Sequence, residues 1–389
     1  MALIYDARQL YDVKVMTGVA AYVREVDNWS VYIEENSLRD QRLPDLRTWR
    51  GDGIIADFDD PRVAAQVTAA RIPSVGFGGG FGWYDPASRI PYIFANNRAI
   101  ARLAAEHLLD RGFHNFAFCG YPANILNGWS RERGQAFAER VGESGFGCST
   151  YVGRHRSTRD WEGFRASLTR WLAALPKPVG LMAADDKRAR QVLEVCRLAG
   201  IQVPDEVAVI GVDNDEMLCQ LSHPSLSSVE SGARRVGHEA AALLDQLMSG
   251  KRPAKRRWIV DPEGVVTRQS TDVLAVDDAV VARAVAMIRN GATAGVTAQA
   301  VCDALALSRT TLELRFKRAM GRTLFAEIRR VQLERAERLI RESDLTLKQI
   351  AAQSGFGSVQ HMTTLFAARF GSPPAAYRRQ ILSRRESKS

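Results

Sequence analysis

Short apolar strands alternate with amphipathic helices along residues 1–270, and this alternation limits the folds open to the chain more than any other feature. Eight strands are predicted: Ala2–Tyr5, Val31–Ile33, Gly53–Ala56, Ser74–Phe77, Tyr92–Phe94, Phe116–Cys119, Val179–Ala183 and Val207–Gly211. Strands and helices in regular order predict parallel sheets covered on both faces. About ten strands are expected in all, and because that number is high for one open sheet, two doubly wound α/β lobes are the more economical prediction.

Length and composition exclude several classes of protein. The chain has 389 residues, which favours two or three domains, and its 46% hydrophobic and 25% charged residues are typical of a globular protein. No apolar run of about 18 residues occurs, and the first six residues lack the basic and apolar regions of a secretory signal, so we expect a cytoplasmic protein without a membrane partner. The five cysteines form no Cys-x-x-Cys pair and the six histidines lack metal-ligand spacing. We therefore expect no metal and no cofactor.

Positive charge is concentrated at one end of the chain. Residues 276–389 carry 19 Lys and Arg against 10 Asp and Glu, whereas residues 1–275 carry 34 of each kind. The whole net charge of +9 therefore belongs to the C-terminal part. A basic terminal domain on a neutral body favours a polyanionic partner, most often nucleic acid, and the alternative is a solubilising basic face.

Polar side chains follow most of the predicted strands. They are Asp6, Asp57, Asn96, Asn97, Asp185, Asp186, Asp213 and Asn214. Ligands bind at the carboxyl ends of the strands in such folds, and carboxylates and amides at that edge suit a ligand rich in hydroxyl groups. The alternative is that each of these residues caps a following helix, because helix N-caps also prefer Asp and Asn.

Sequence motifs for enzymatic chemistry are weak in this chain. The glycine-rich stretch 76–82 follows a strand but lacks the Gly-x-Gly-x-x-Gly spacing of a dinucleotide site. The sequence contains no Walker A motif and no Gly-x-Ser-x-Gly nucleophile elbow. Asp57, Asp59 and Asp60 lie close together, but no partner nucleophile or metal motif accompanies them. The sequence therefore favours a binding protein, and a sugar-processing enzyme with a DNA-binding appendage is the remote alternative.

Four segments of the first 271 residues resemble the LacI/GalR regulators and their periplasmic sugar-binding relatives. They are residues 129–137 (WSRERGQAF), 184–189 (ADDKRA), 207–214 (VAVIGVDN) and 264–271 (GVVTRQST). The resemblance implies a two-lobed periplasmic-binding-protein-like domain in which Arg133, Asp185 and Asp213 contact a sugar. It also implies that Trp161 stacks on the sugar, although Trp161 is equally suited to a core position. With the strand-end residues, the expected sugar ligands are Asp6, Asn96, Arg133, Trp161, Asp185 and Asp213.

Two copies of a short helix, a tight turn and a serine-capped helix make up most of residues 276–389. The first copy spans Thr297–Met320 and the second spans Leu347–Phe370, which is the helix-turn-helix pattern. A helix from Leu324 joins them and is about 28 Å long, close to the roughly 34 Å of one turn of B-DNA. Ala306 occupies the turn of the first copy, and if that turn needs a positive φ, alanine there costs about 1 kcal/mol.

The exposed faces of the two capped helices supply the predicted DNA contacts. Base-reading candidates are Arg309, Thr310, Glu313, Leu314, Val359, Gln360, Thr363 and Thr364. Phosphate-contacting candidates are Ser308, Arg315, Lys317, Arg318, Ser358 and Arg378. Solvated surface roles are the alternative for each of them, and Leu312, Phe316, Met362 and Phe366 are expected in the core.

The double unit resembles the AraC/XylS DNA-binding domain, with the closest match in residues 355–378 (GFGSVQHMTTLFAARFGSPPAAYR). A LacI-type body followed by this domain resembles the xylose operon regulators. That resemblance implies a D-xylose-dependent activator, bound as a homodimer to an operator in double-stranded DNA and acting on RNA polymerase. The expected domains are a sugar-binding domain at 1–271, a linker at 272–278 and a DNA-binding domain at 279–389. The same regulator responding to another pentose or sugar remains the alternative.

Overall fold

The computed structural model describes residues 1–34, 46, 49–78, 90–122, 128–153, 161–251, 253, 255–273, 278–291, 295–343 and 345–379. The chain divides into two compact units, Met1–Val273 and Leu274–Ser389. Among the described residues, no helix has the length and apolar character needed to cross a membrane.

Among the described residues, the first unit contains two six-stranded sheets, which confirms the two predicted lobes and gives twelve strands where about ten are expected. The first sheet has the order β11-β5-β4-β3-β1-β2, and all of its neighbouring strands run parallel. Its strands are β1 (Ala2–Ile4), β2 (Tyr32–Glu34), β3 (Ile54–Asp57), β4 (Ser74–Gly78), β5 (Tyr92–Ala95) and β11 (Arg257–Val260). The helices of this first lobe are α1 (Leu10–Val26), α2 (Pro61–Ala70) and α8 (Ala233–Met248).

The second sheet has the order β12-β10-β9-β8-β6-β7, and of these described strands only β12 runs antiparallel to its neighbour. Its strands are β6 (Asn115–Cys119), β7 (Cys148–Tyr151), β8 (Val179–Ala183), β9 (Val207–Val212), β10 (Ser227–Glu230) and β12 (Gly264–Val266). The helices of this second lobe are α3 (Asn97–Leu109), α4 (Gly128–Gly142), α5 (Trp161–Ala174), α6 (Asp186–Ala199) and α7 (Glu216–Leu221).

Within the described ranges, the chain crosses between the two lobes three times, after β5, after β10 and after β11. Hydrogen bonds tie these crossings together. The Asn96 amide Nδ2 donates to Asp261 Oδ1 at 2.8 Å, and the Glu263 N–H donates to the Glu230 carbonyl at 2.8 Å. Gly232 has φ 79°, and a Cβ on it would lie 2.9 Å from the Asp261 carbonyl oxygen. These crossings therefore form a closely packed hinge.

Helices α1 and α8 pack backbone to backbone in the first lobe. A Cβ on Gly18 would lie 1.8 Å from the Arg234 carbonyl oxygen, and a Cβ on Gly237 would lie 1.8 Å from that of Val15. The two helices can therefore approach this closely only because glycine, which has no Cβ, occupies both positions. Helix α1 begins at Leu10 after Gln9, and Asp12 lies inside its first turn.

The second unit consists of two helix-turn-helix halves, as predicted. Its helices are α9 (Ala279–Gly291), α10 (Ala298–Ala304), α11 (Arg309–Met320), α12 (Leu324–Glu342), α13 (Leu347–Gln353) and α14 (Val359–Phe370). Ser308 and Ser358 cap α11 and α14, and Leu312, Phe316, Met362 and Phe366 are fully buried. The first half packs around α9, and α12 adds Leu324 and Ile328 to that core and Leu333 and Leu339 to the core of the second half.

Candidate functional site

The turn after β9 carries the carboxylate of Asp213, which has an unusual backbone and an unusual environment. Asp213 and Asn214 have φ values of 93° and 47°, a backbone conformation that residues other than glycine rarely adopt. Asp213 Oδ1 is buried and has no hydrogen-bond partner among the residues that the structure describes. It lies 4.0 Å from the Arg133 guanidinium, which is too far for a direct hydrogen bond. A strained backbone therefore presents an unsatisfied carboxylate oxygen beside a buried cation.

Arg133 lies on α4 and is held in one orientation. Its Nε donates to Asn97 Oδ1 at 2.9 Å, and its NH1 donates to the Ala184 carbonyl at 2.7 Å. Its guanidinium also lies over the Trp129 ring at 4.8 Å. These contacts leave the NH2 group directed at Asp213. The structure thus brings Arg133 and Asp213 together with Asn97, another of the strand-end candidates, and adds Trp129.

Asp185 occupies the end of β8, but its oxygens already have partners. It caps α6 by accepting the Arg188 N–H at 2.7 Å, and the Tyr121 hydroxyl donates to its carboxylate at 2.9 and 3.0 Å. Burial raises the pKa of Asp185. Arg188, which the sequence analysis missed, is buried between the Tyr121 and Phe164 rings at 4.1 and 4.8 Å. The buried Arg188 Nε also makes no hydrogen bond within the described ranges.

Asp186 connects elements of the second lobe. It accepts the Ser228 hydroxyl at 2.6 Å and the Asp215 N–H at 2.7 Å, and both contacts are buried or partly buried. Burial holds its pKa well above the usual value. Asp186 is the first residue of α6, which Asp185 caps, so its carboxylate makes structural contacts within the second lobe and does not cap the helix.

The first lobe contributes buried carboxyl groups at the ends of β1 and β3. Asp6 is buried, and its carboxylate accepts from the Arg8 N–H at 3.1 Å and from Arg8 Nε at 3.2 Å. Asp12 accepts the Asp6 N–H at 3.0 Å. Burial raises the pKa of both Asp12 and Asp57 well above the usual value, and the charges of neighbouring acids, Asp59 among them, add to this effect.

Two predicted sugar ligands have other tasks in the structure. The Asn96 amide donates to Asp261 and accepts the Ala99 N–H at 3.1 Å, so Asn96 caps α3 and fastens the hinge. Asn96 therefore has structural partners on both side-chain polar atoms, and its sugar role stays a prediction. Trp161 packs half-buried against the core of the second lobe, 5.8 Å from the Phe164 ring. The aromatic ring beside Arg133 is Trp129, and the core alternative fits Trp161.

The two capped helices of the second unit present exposed polar side chains. On α11, Arg309, Thr310, Leu314, Lys317 and Arg318 are exposed, and Leu314 is exposed at 71%. On α14, Gln360 and Thr364 are exposed and Thr363 is half-buried. Ser308 accepts the Thr311 N–H and Ser358 accepts the His361 N–H, each at 3.2 Å, so both hydroxyl groups act as caps.

Four predicted DNA contacts are occupied or buried. Val359 packs half-buried against the core of the second half. Glu313 accepts the Leu324 N–H at 3.2 Å, and Arg315 forms two 2.7 Å hydrogen bonds with Asp278, the residue before α9. Arg378 is half-buried, and its Nε and NH2 lack hydrogen-bond partners in the described part of the chain. These four side chains are half-buried in the structure, and their DNA roles stay predictions.

Known proteins with the same organisation match this chain along nearly its whole length. Residues 1–98 match the XylR N-terminal domain, 105–271 a periplasmic binding protein-like domain, and 301–380 a helix-turn-helix domain. The xylose operon regulatory protein of Escherichia coli strain K12 is 35% identical over 379 residues, which cover 97% of this chain and 96% of that protein. The chain belongs to the xylose operon regulatory protein family. Its relative in Haemophilus influenzae is 33% identical over 97% of both chains.

A solved structure agrees with this assignment. The structure described as xylose-binding transcription activator XylR is 35% identical, covers 97% of both chains and superposes with a TM-score of 0.63. The complex of the regulator CelR with cellobiose shares the fold of the first unit at 21% identity and a TM-score of 0.56, over 69% of this chain and 83% of that one. The relatives in this family are transcription regulators, so the chain is a sugar-binding transcription regulator and not an enzyme.

Proposed function

We propose that D-xylose is the effector of this regulator and that it binds beside Asp213 and Arg133. The observation that carries the proposal is the buried Asp213 Oδ1, which has no hydrogen-bond partner among the described residues and lies 4.0 Å from Arg133. One sugar hydroxyl between these groups donates to the carboxylate and accepts from the guanidinium, with both heavy-atom distances near 2.8 Å. The names of the relatives supply the identity of the sugar.

Several neighbouring residues complete the proposed site. Trp129 offers an apolar face beside Arg133, and Asp185 and Asp6 lie at the ends of β8 and β1. Asp185 and Asp6 reach the sugar through the oxygen lone pairs that their present partners leave free. Arg188 adds a buried guanidinium edge whose orientation is fixed by two aromatic rings.

The output of the regulator is DNA binding through α11 and α14. Arg309, Thr310, Gln360, Thr363 and Thr364 are the proposed base readers, with Leu314 contacting a thymine methyl group. Lys317 and Arg318 are the proposed phosphate contacts. We assign the sugar-binding domain to residues 1–271, the linker to 272–278 and the DNA-binding domain to 279–389. The regulator acts as a cytoplasmic homodimer, associated with the nucleoid when bound, and activates transcription with RNA polymerase.

Calorimetric titration of the full chain with D-xylose, other pentoses and hexoses tests the effector assignment. D-xylose should bind most tightly, and Asp213→Asn should weaken it by about tenfold to a hundredfold, because the hydrogen bond to a charged acceptor is lost. Asp205→Asn is the matched control, because Asp205 is exposed just before the other end of the same strand. Tighter binding of another sugar would make that sugar the effector in place of D-xylose. Equal D-xylose affinity of Asp213→Asn and the unmodified chain would show that Asp213 does not bind the sugar.

Measurement of operator affinity with and without D-xylose tests the coupling. A regulator of this kind should change its affinity about fivefold to 150-fold on sugar binding. Arg309→Ala and Gln360→Ala should relax sequence preference at one base pair each, whereas Lys317→Ala should weaken binding to all sequences and reduce the salt dependence. An operator affinity that does not respond to sugar would refute the coupling and leave the DNA-binding assignment intact.

A further inference from the structure

A buried lysine connects the two lobes beside the proposed sugar site. Lys14 lies on α1 of the first lobe, and its side chain is only 9% exposed. Its ammonium donates to the Asp213 carbonyl and to both carboxylate oxygens of Glu230, at 3.0 and 2.8 Å. Asp213 directly follows β9 and Glu230 is the last residue of β10, both in the second lobe. The three N–H donors of one ammonium group are therefore all directed at the opposite lobe.

The turn that Lys14 reaches is the strained turn at Asp213 and Asn214. The Asp213 N–H donates to the Val229 carbonyl, the Asn214 N–H donates to the Ser228 hydroxyl at 2.9 Å, and Asn214 Nδ2 donates to Glu230 at 3.3 Å. Arg268 donates to Asn214 Oδ1 at 2.9 Å. All of these partners belong to the second lobe, and Lys14 alone, among the hydrogen bonds described for this turn, comes from the first.

We propose that Lys14 is a positioning residue that transmits lobe closure to the sugar-binding carboxylate. When α1 lies against the turn, the ammonium of Lys14 fixes the Asp213 carbonyl and stabilises the left-handed backbone that presents Oδ1 to the sugar. A movement of α1 away from the turn breaks this bond, and the left-handed backbone at Asp213 then loses a contact that stabilises it. This inference rests on the proposed function, because it concerns the same sugar site.

Sugar affinity and unfolding of the full chain test the proposal together. Lys14→Met should weaken D-xylose binding by about tenfold to a hundredfold in calorimetry, because a buried charge-assisted hydrogen bond to the turn is removed. Glu230→Gln keeps the bond from Lys14 to Asp213 and should stay closer to the unmodified chain in affinity. Lys177→Met is the matched control, because Lys177 also donates to a backbone carbonyl, that of Leu172 at 2.8 Å, but within one lobe.

The double variant Lys14→Met with Glu230→Gln separates positioning from stability. It leaves no unpaired carboxylate, so its unfolding midpoint should return toward that of the unmodified chain while its sugar affinity stays weakened. Recovery of both quantities would show that Lys14 only neutralises Glu230, and this would overturn the proposal. Unchanged affinity in folded Lys14→Met would overturn it as well. If the unmodified chain binds no sugar of the panel, the proposed function fails instead, and the two failures are distinguishable.

Discussion

Ala306→Gly should stabilise the second unit. Ala306 is the turn residue of the first helix-turn-helix half and has φ 54°, whereas Gly355 is its counterpart in the second half with φ 76°. The two turns share one hydrogen-bond pattern. Ala306 and Gly355 each donate to a carbonyl three residues earlier, at 3.1 Å, and Leu307 and Phe356 each donate to one five residues earlier. The chain therefore contains the same left-handed turn once with alanine and once with glycine.

The expected magnitude follows from two opposing terms. A left-handed backbone costs an L-residue about 1–2 kcal/mol, and glycine removes this cost. Glycine also loses more backbone entropy on folding, which costs about 0.4–1 kcal/mol. The net gain in the free energy of unfolding should be about 0.5–1 kcal/mol, which raises the midpoint of a unit of this size by about 4 °C. Gly355→Ala should lower it by a similar or larger amount.

Two spectroscopic probes separate the two units in the intact chain. All seven tryptophans lie between residues 29 and 258, so their fluorescence follows the first unit alone. Circular dichroism in the far ultraviolet follows the helices of both units. Ala306→Gly should therefore shift a dichroism transition and leave the fluorescence transition in place. If Ala306→Gly gave no gain while Gly355→Ala was destabilising, the reasoning from shared turn geometry would be refuted.

Three further predictions concern packing and ion pairs. Gly18→Ala should destabilise the first unit by about 3 kcal/mol or more in fluorescence-monitored urea unfolding, because its Cβ meets the Arg234 carbonyl, whereas Gly142→Ala has open space and should not. Glu327→Gln should lower the free energy of unfolding of the second unit by about 3 kcal/mol, as followed by dichroism, because Glu327 is fully buried between Arg322 and Arg330. Burial raises the pKa of Glu327, but the two arginines outweigh it and hold that pKa below its ordinary 4.5. The stabilisation from this ion pair should be complete above pH 4.5 and disappear as the pH falls through the lower folded-state pKa. A series of unfolding measurements at falling pH that showed no such loss would contradict the stabilising role of Glu327. Asp278→Asn should lower the free energy of unfolding of the second unit by about 1 kcal/mol in the same dichroism assay, because Asp278 both caps α9 and pairs with Arg315. An unchanged unfolding midpoint would contradict this prediction.

Some strands of the first unit could not be predicted from the apolar pattern of the sequence. Eight strands were predicted, and the structure adds β7, β10, β11 and β12 among the described residues. β7 reads Cys-Ser-Thr-Tyr and β10 reads Ser-Ser-Val-Glu, so neither presents the continuous apolar run of the central strands. The serines of β10 are nonetheless fully buried, because Ser227 bonds with Arg268 and Thr271 and Ser228 with Asp186. Such partners are distant in sequence and become visible only in the fold.

The amino-acid sequence by itself determined the alternating α/β body, the two capped helix-turn-helix halves and the placement of the excess positive charge. These features depend on local periodicity, on capping residues and on composition, all of which act over a few residues. Only the tertiary structure decided which polar groups at the strand ends remain unsatisfied. Asp186, Asn96 and Asp213 all follow strands, yet the first two have partners for their polar side-chain atoms and Asp213 Oδ1 has none in the described residues. Capping and ligand binding use the same residue types, so the difference lies in contacts that long-range packing alone creates.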